Sequence, residues 1–168
     1  MNYFEFFNLP LSPLIDKADL KKRFYANSRK YHPDFYTLED EATQADVLEK
    51  STLNNQGYKV LKDDDRRLKH LLELKGALGE EGKNPIPQDF LMEVMDINEA
   101  LMELEFDDDP ALRKKAHASV SKLDAELQAD VKQLLENYDD EQVSDAELNQ
   151  LRDYYLKRRY LLRIYKKL

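Results

Sequence analysis

A chain of 168 residues, 42% hydrophobic and 36% charged, suits one large domain or two small ones able to bury a core. Its net charge of −8 argues against general nucleic-acid binding, and the lack of cysteine excludes disulfides, thiolate metal sites and a cysteine nucleophile. No stretch approaches the roughly 18 apolar residues of a membrane span and no secretory signal pattern opens the chain, so a cytoplasmic protein with no membrane partner is expected.

Four glycines and six prolines are few, which favours long helices over turn-rich β structure. Tyr3–Phe7 reads as a short aromatic turn ended by Pro10. Asp16 is a good N-cap for a helix through Tyr31, because its carboxylate can accept from the free amides of the first turn. A second long helix is expected from about Glu41 to Lys62, and a third from about Arg66 to Lys75. The stretch 76–87 holds three glycines and two prolines and reads as a linker.

Beyond it, a helix is expected over Gln88–Phe106. Asp109 and Pro110 have the chemistry of an N-cap and a first helical residue, starting a helix to about Tyr138. Ser144 and Glu147 have capping-box spacing and start the last helix, to about Lys167. The expectation is an all-α protein, a helical hairpin over 1–75 and a three-helix bundle over 88–168, in an L-shaped arrangement.

Charge is unevenly placed. Lys17–Tyr31 carries Lys17, Lys21, Lys22, Arg23, Arg29 and Lys30 against Asp19 alone. Glu80–Pro110 reverses this, with eleven carboxylates against Lys83. At about 100° per residue, Leu20, Phe24 and Tyr31 share one face of the first long helix, and Lys22 and Arg29 lie opposite. Such a cationic face is suited to steering an acidic partner, because exposed ion pairs add little stability. The alternative is a solvated helix face.

His32-Pro33-Asp34 follows directly. Proline disfavours helix at the preceding residue, so the helix stops near Tyr31 and the tripeptide forms an exposed turn. A His–Asp pair can polarise a nucleophile, but that needs a serine, a cysteine or a metal in a pocket. The chain has no cysteine or Gly-rich phosphate loop, and His70 and His117 lie far off in sequence. A non-enzymatic role is therefore expected, with a hydrolase using His32 and Asp34 as the competing class.

In Gln88–Phe106, Phe90, Val94, Ile97, Leu101 and Leu104 fall within about 40° and make a sufficient core stripe. Leu91, Met92, Met95 and Met102 lie off it, among Asp96, Glu99 and Glu103. Two readings stay open. The second stripe either packs inside the bundle or is an adaptable, acid-rimmed recognition surface, for which methionine is well suited. The interleaved carboxylates weigh against burial.

The aromatic start, the basic helix, His32-Pro33-Asp34 and the segment Asn55–Leu61 together resemble the J-domain of DnaJ-type co-chaperones. The opening Tyr3–Pro10, Arg67–Leu74 and Phe90–Glu93 further resemble HscB-type co-chaperones of iron–sulfur cluster assembly. The resemblance implies a J-domain over 1–75 that stimulates ATP hydrolysis by a DnaK-type chaperone, HscA, docking through Lys22, Arg29, His32, Pro33 and Asp34. It implies a domain over 88–168 that binds the scaffold protein IscU through Leu91, Met92, Met95, Asp96, Glu99, Glu103 and an aromatic of the last helix, Tyr155 or its neighbour Tyr154. No cofactor or metal is implied. Phe35 departs from the family, which usually has a cation there. Delivery of a different client is the alternative function.

Overall fold

The computed structural model describes all 168 residues, and its long elements are all helical. The all-α expectation holds. Two compact units are formed, one of Met1–Leu71 with Tyr138–Glu141 and the other of Leu72–Asn137 with Gln142–Leu168.

The first unit is organised around the hairpin of α2 (Lys17–Lys30) and α3 (Glu41–Leu61). Asp16 caps α2 through the amides of Ala18 and Asp19, and Asp40 caps α3 through Thr43. The helices run antiparallel: the ring of Phe24 stacks on Tyr58 at 4.2 Å. Nearer the turn, Asn54, buried in α3, donates to the Phe24 carbonyl and to Ser28 Oγ. Leu20, Val47 and Leu61 are buried in the core, each contributing about 1.5–3 kcal/mol.

The short helix α1 (Tyr3–Phe6), fixed by a capping box between Asn2 and Glu5, packs on α3. Gly57 makes this approach possible, since a Cβ there would lie 2.9 Å from atoms of both the Tyr3 and Phe7 rings. Helix α4 (Asp64–Leu74) contributes Arg67, which is fully buried. Its guanidinium donates to the carbonyls of Pro13 and Leu61 at 2.8 and 2.6 Å and to Asp64 at 2.7 Å. That one side chain ties the loop before α2 to the α3–α4 junction, satisfying polar groups that would otherwise be buried without partners. His70, also on α4, lies against the rings of Tyr3 and Phe4.

In the second unit the expected single helix over Gln88–Phe106 is two. Helix α5 (Gln88–Glu93) stops at Val94, and α6 (Met95–Phe106) resumes at once. Val94 leaves helical geometry with ψ near 1°. Val94 at the break and Phe90 one turn before it are both fully buried. Helix α7 (Pro110–Glu136) begins with the Asp109 cap and Pro110, and α8 (Asp145–Lys167) with the Ser144–Glu147 capping box, as their sequences predict.

Helix α7 packs on both α6 and α8. Asn98 of α6 donates to the Tyr160 hydroxyl of α8 at 2.8 Å, which closes a three-helix bundle. Val120, Leu151, Leu161 and Ile164 fill its centre with Phe90, Val94 and Ile97. Residues 76–87, read as a linker, group with this unit. Within them Asn84 bridges the backbone of Gly79 and Glu80, and Glu81 accepts from Arg159 of α8 at 2.5 Å. The Glu81 hydrogen bond raises the Arg159 pKa above its ordinary value.

Candidate functional site

The first candidate surface is built by α2 and the turn that ends it. Tyr31 closes the helix, its amide donating to the Asn27 carbonyl, and Pro33–Tyr36 forms a single 3-10 turn. His32 caps that turn: its Nδ1 accepts from the Asp34 amide at 3.3 Å, and its carbonyl accepts from Phe35. The Tyr36 hydroxyl donates to the Lys30 carbonyl at 2.6 Å, holding the turn against the helix end. His32, Pro33 and Asp34 are all exposed.

The cations of α2 divide into two groups. Lys17 pairs with Asp64, and Arg23 pairs with Asp19 while donating to the carbonyls of Phe7 and Asn8. Of the two, Arg23 ties α2 to the end of α1. Lys21, Lys22 and Arg29 are exposed to solvent, and Lys30 leans over the ring of Tyr31. The structure thus brings Lys22 and Arg29 onto the same helix as the turn, on its outer face. Of the expected buried stripe, Leu20 is fully enclosed, whereas Phe24 and Tyr31 are half-buried.

An apolar patch that helical periodicity does not reveal lies beside the turn. Phe35, Leu38 and Leu48 are exposed, and a groove of about 480 Å³ lined by Pro33, Asp34, Tyr36, Gln44, Val47 and Leu48 lies beside the turn. The available signal was Phe35 itself, an aromatic placed just after a solvent-exposed proline turn.

The second candidate surface lies on α5 and α6. Met92 and Met95 are 71% and 53% exposed, and Leu91 is exposed beside them. Asp96, Glu99 and Glu103 are exposed as well. The reading in which the methionine stripe packs inside the bundle is therefore overturned: Phe90, Val94, Ile97 and Ala100 supply the inward face. Leu91 and Met92 stand on one side of the Val94 break and Met95, Asp96, Glu99 and Glu103 on the other.

Tyr155 does not join them at the surface. It and Tyr154 are both buried. Their neighbours Leu151, Leu156 and Leu161 on α8 are buried as well. Tyr154 forms part of the wall of a groove of about 500 Å³ between α7 and α8, with Leu127, Val131, Asp153 and Lys157. Lys157 in turn lies over the ring of Phe90 at 5.7 Å, linking that groove to the base of α5.

No set of His, Cys, Asp and Glu side chains is grouped to hold a metal ion, and no helix is long and apolar enough to cross a membrane. What the two surfaces can do chemically is bind: one is cationic with an exposed turn, the other apolar with an acidic border.

Comparison with known proteins covers nearly the whole chain. The family model of the HSCB C-terminal oligomerisation domain matches residues 86–168. A co-chaperone protein HscB homolog of Shewanella amazonensis is 32% identical over 148 residues, spanning 87% of this chain and 85% of that protein. Another, of Pseudoalteromonas atlantica, is 36% identical over 136 residues, spanning 80% and 74%. The crystal structure of human co-chaperone protein HscB aligns with 99% of this chain and 80% of its own at 27% identity, with a TM-score of 0.77.

Proposed function

Since the chain belongs to the HscB family of co-chaperones, we propose that it brings an IscU-type iron–sulfur scaffold to an HscA-type chaperone in the cytoplasm and stimulates that chaperone's ATP hydrolysis. In this reading residues 1–75 are the J-domain, 76–87 a connecting segment and 88–168 the scaffold-binding domain. The observation that carries the reading is the pair of exposed surfaces of opposite character, the cationic α2 face with His32-Pro33-Asp34 and the acid-bordered Leu91–Met92–Met95 face.

Each surface suits its partner. Lys22 and Arg29 steer an acidic chaperone surface toward the turn, and the exposed Asp34 carboxylate is placed to pair with a cation there. Leu91, Met92 and Met95 offer adaptable apolar anchors, with Asp96, Glu99 and Glu103 orienting a basic scaffold surface around them. No bond is made or broken by these side chains, so the chain acts as an activator rather than an enzyme. Tyr155, with its neighbour Tyr154 as the alternative, is the aromatic of α8 that completes this surface in the same reading.

The deciding experiment is steady-state ATP turnover by an HscA-type chaperone with this chain added, with and without IscU. Stimulation that rises further with the scaffold is expected. Turnover indifferent to the chain would reject the reading, and stimulation that ignores IscU would point to another client.

A further inference from the structure

The exposed apolar surface of α6 does not end with Met95. Met102 is 63% exposed and Phe106 is 89% exposed, the latter at the last residue of the helix. On a helix advancing about 100° per residue, Met95, Met102 and Phe106 fall within about 40° of one another and form one line. Glu99, Glu103 and Asp96 border that line on one side and Glu105 on the other, all exposed. Beyond it lie Asp107, Asp108 and Asp109, of which Asp108 pairs with Arg113 and Asp109 caps α7. Single exposed hydrophobics need no explanation, but an aligned row with carboxylates on both flanks is a patterned surface.

We propose that Met102 and Phe106 continue the docking stripe of α5 and α6 to the end of the helix. The scaffold surface that covers it must then present an apolar ridge about 16 Å long, the rise of eleven helical residues, edged by lysine and arginine. The inference rests on the reading that the α5–α6 face binds the scaffold. Charge decides the occupant. A second copy laid symmetrically, stripe on stripe, would set Glu99, Glu103 and Glu105 against carboxylates of its own kind, whereas a scaffold surface edged by cations satisfies them.

The test is titration calorimetry of the full chain with purified IscU, accompanied by thermal melts and sedimentation. Met102→Ala with Phe106→Ala should weaken affinity at least tenfold at an unchanged melting temperature, because neither side chain is in the core. Phe106→Leu with Met102 intact should recover most of the affinity, since it restores an apolar contact without the ring. Full affinity in the double variant, alongside weakened binding by alanine at Leu91, Met92 and Met95, would overturn this inference alone. No binding by the unmodified chain would overturn the underlying reading and this one with it. Self-association abolished by Phe106→Ala with IscU affinity unchanged would assign the stripe to a second copy instead.

Discussion

The amide of Asp34 donates to Nδ1 of His32 over 3.3 Å, whereas the Asp34 carboxylate lies 3.8 Å from the same nitrogen. The imidazole is thus held by the backbone of the turn, and the carboxylate stays directed outward and largely exposed. The two residues consequently fail in different ways when altered. Asp34→Asn should leave stability within about 0.5 kcal/mol, as for a surface change that breaks no structural contact. It should still abolish stimulation of the chaperone ATPase. His32→Gln disturbs a cap and should also cost about 1 kcal/mol locally. Undiminished ATPase stimulation in both variants would remove this turn from the mechanism.

Lys22 and Arg29 are exposed, while Lys17 is paired with Asp64 and Arg23 with Asp19. Lys22→Glu with Arg29→Glu should therefore weaken chaperone docking without lowering the melting temperature. Docking of the unaltered chain should also weaken with salt, since exposed charges are screened beyond about 8 Å at physiological ionic strength. Binding measured from 50 to 500 mM salt checks both, and a salt-independent affinity untouched by the reversal would contradict the steering role.

Alanine at Leu91, Met92 and Met95 should greatly weaken IscU binding, because truncating central anchors costs ~2 kcal/mol or more each, although not additively. Their exposure means no cavity opens, so the melting temperature should hold. A marked fall in melting temperature with scaffold affinity unchanged would return these residues to the core. Glu99→Lys and Glu103→Lys should act mainly on association rate and its salt dependence.

Arg67 and Asp64 make the stability of the first unit sensitive to acid. Burial alone would raise the Asp64 pKa, but hydrogen bonds from Arg67 and Lys17, with their charges, hold it below its ordinary value of 3.8. A depressed folded pKa means stabilisation that is fully present above the unfolded value and lost as pH falls through the folded one. Between pH 4 and 2 the unaltered chain should therefore lose more stability than Asp64→Asn, with the curves parallel near neutrality. Arg67→Met should cost about 2–5 kcal/mol near neutral pH, since it strands the carbonyls of Pro13 and Leu61.

Gly57→Ala tests the seat of α1. The added methyl meets the rings of Tyr3 and Phe7 at 2.9 Å, and overpacking of this kind costs about 1–3 kcal/mol. Alanine's better helix propensity offsets up to about 1 kcal/mol. A net loss of stability with displaced Tyr3 resonances is expected, and a stabilised variant would show that α1 shifts without cost.

Helix limits were legible because caps are local chemistry. Asp16, Asp109 with Pro110, and Ser144 with Glu147 each satisfy free amides within a few residues, so no distant contact is needed to place them. The turn at His32-Pro33-Asp34 was legible for the same reason, since proline restricts its own neighbour. Periodicity could say that Gln88–Phe106 has two apolar faces, but not which one the protein covers. That was decided by α7 and α8, which enclose Phe90, Val94 and Ile97 and leave Met92 and Met95 in solvent. The break at Val94 left no proline or glycine to read. Tyr154 and Tyr155 stand in a charged run of the sequence, yet the packing of α8 buries both. Arg67 reads as one more cation in a charged run, yet it is buried because Pro13, 54 residues earlier, supplies an acceptor. The sequence by itself determined where the helices begin and end and which exposed turn they carry. Only the tertiary structure decided which polar and apolar side chains remain outside, because burial depends on partners remote in the chain.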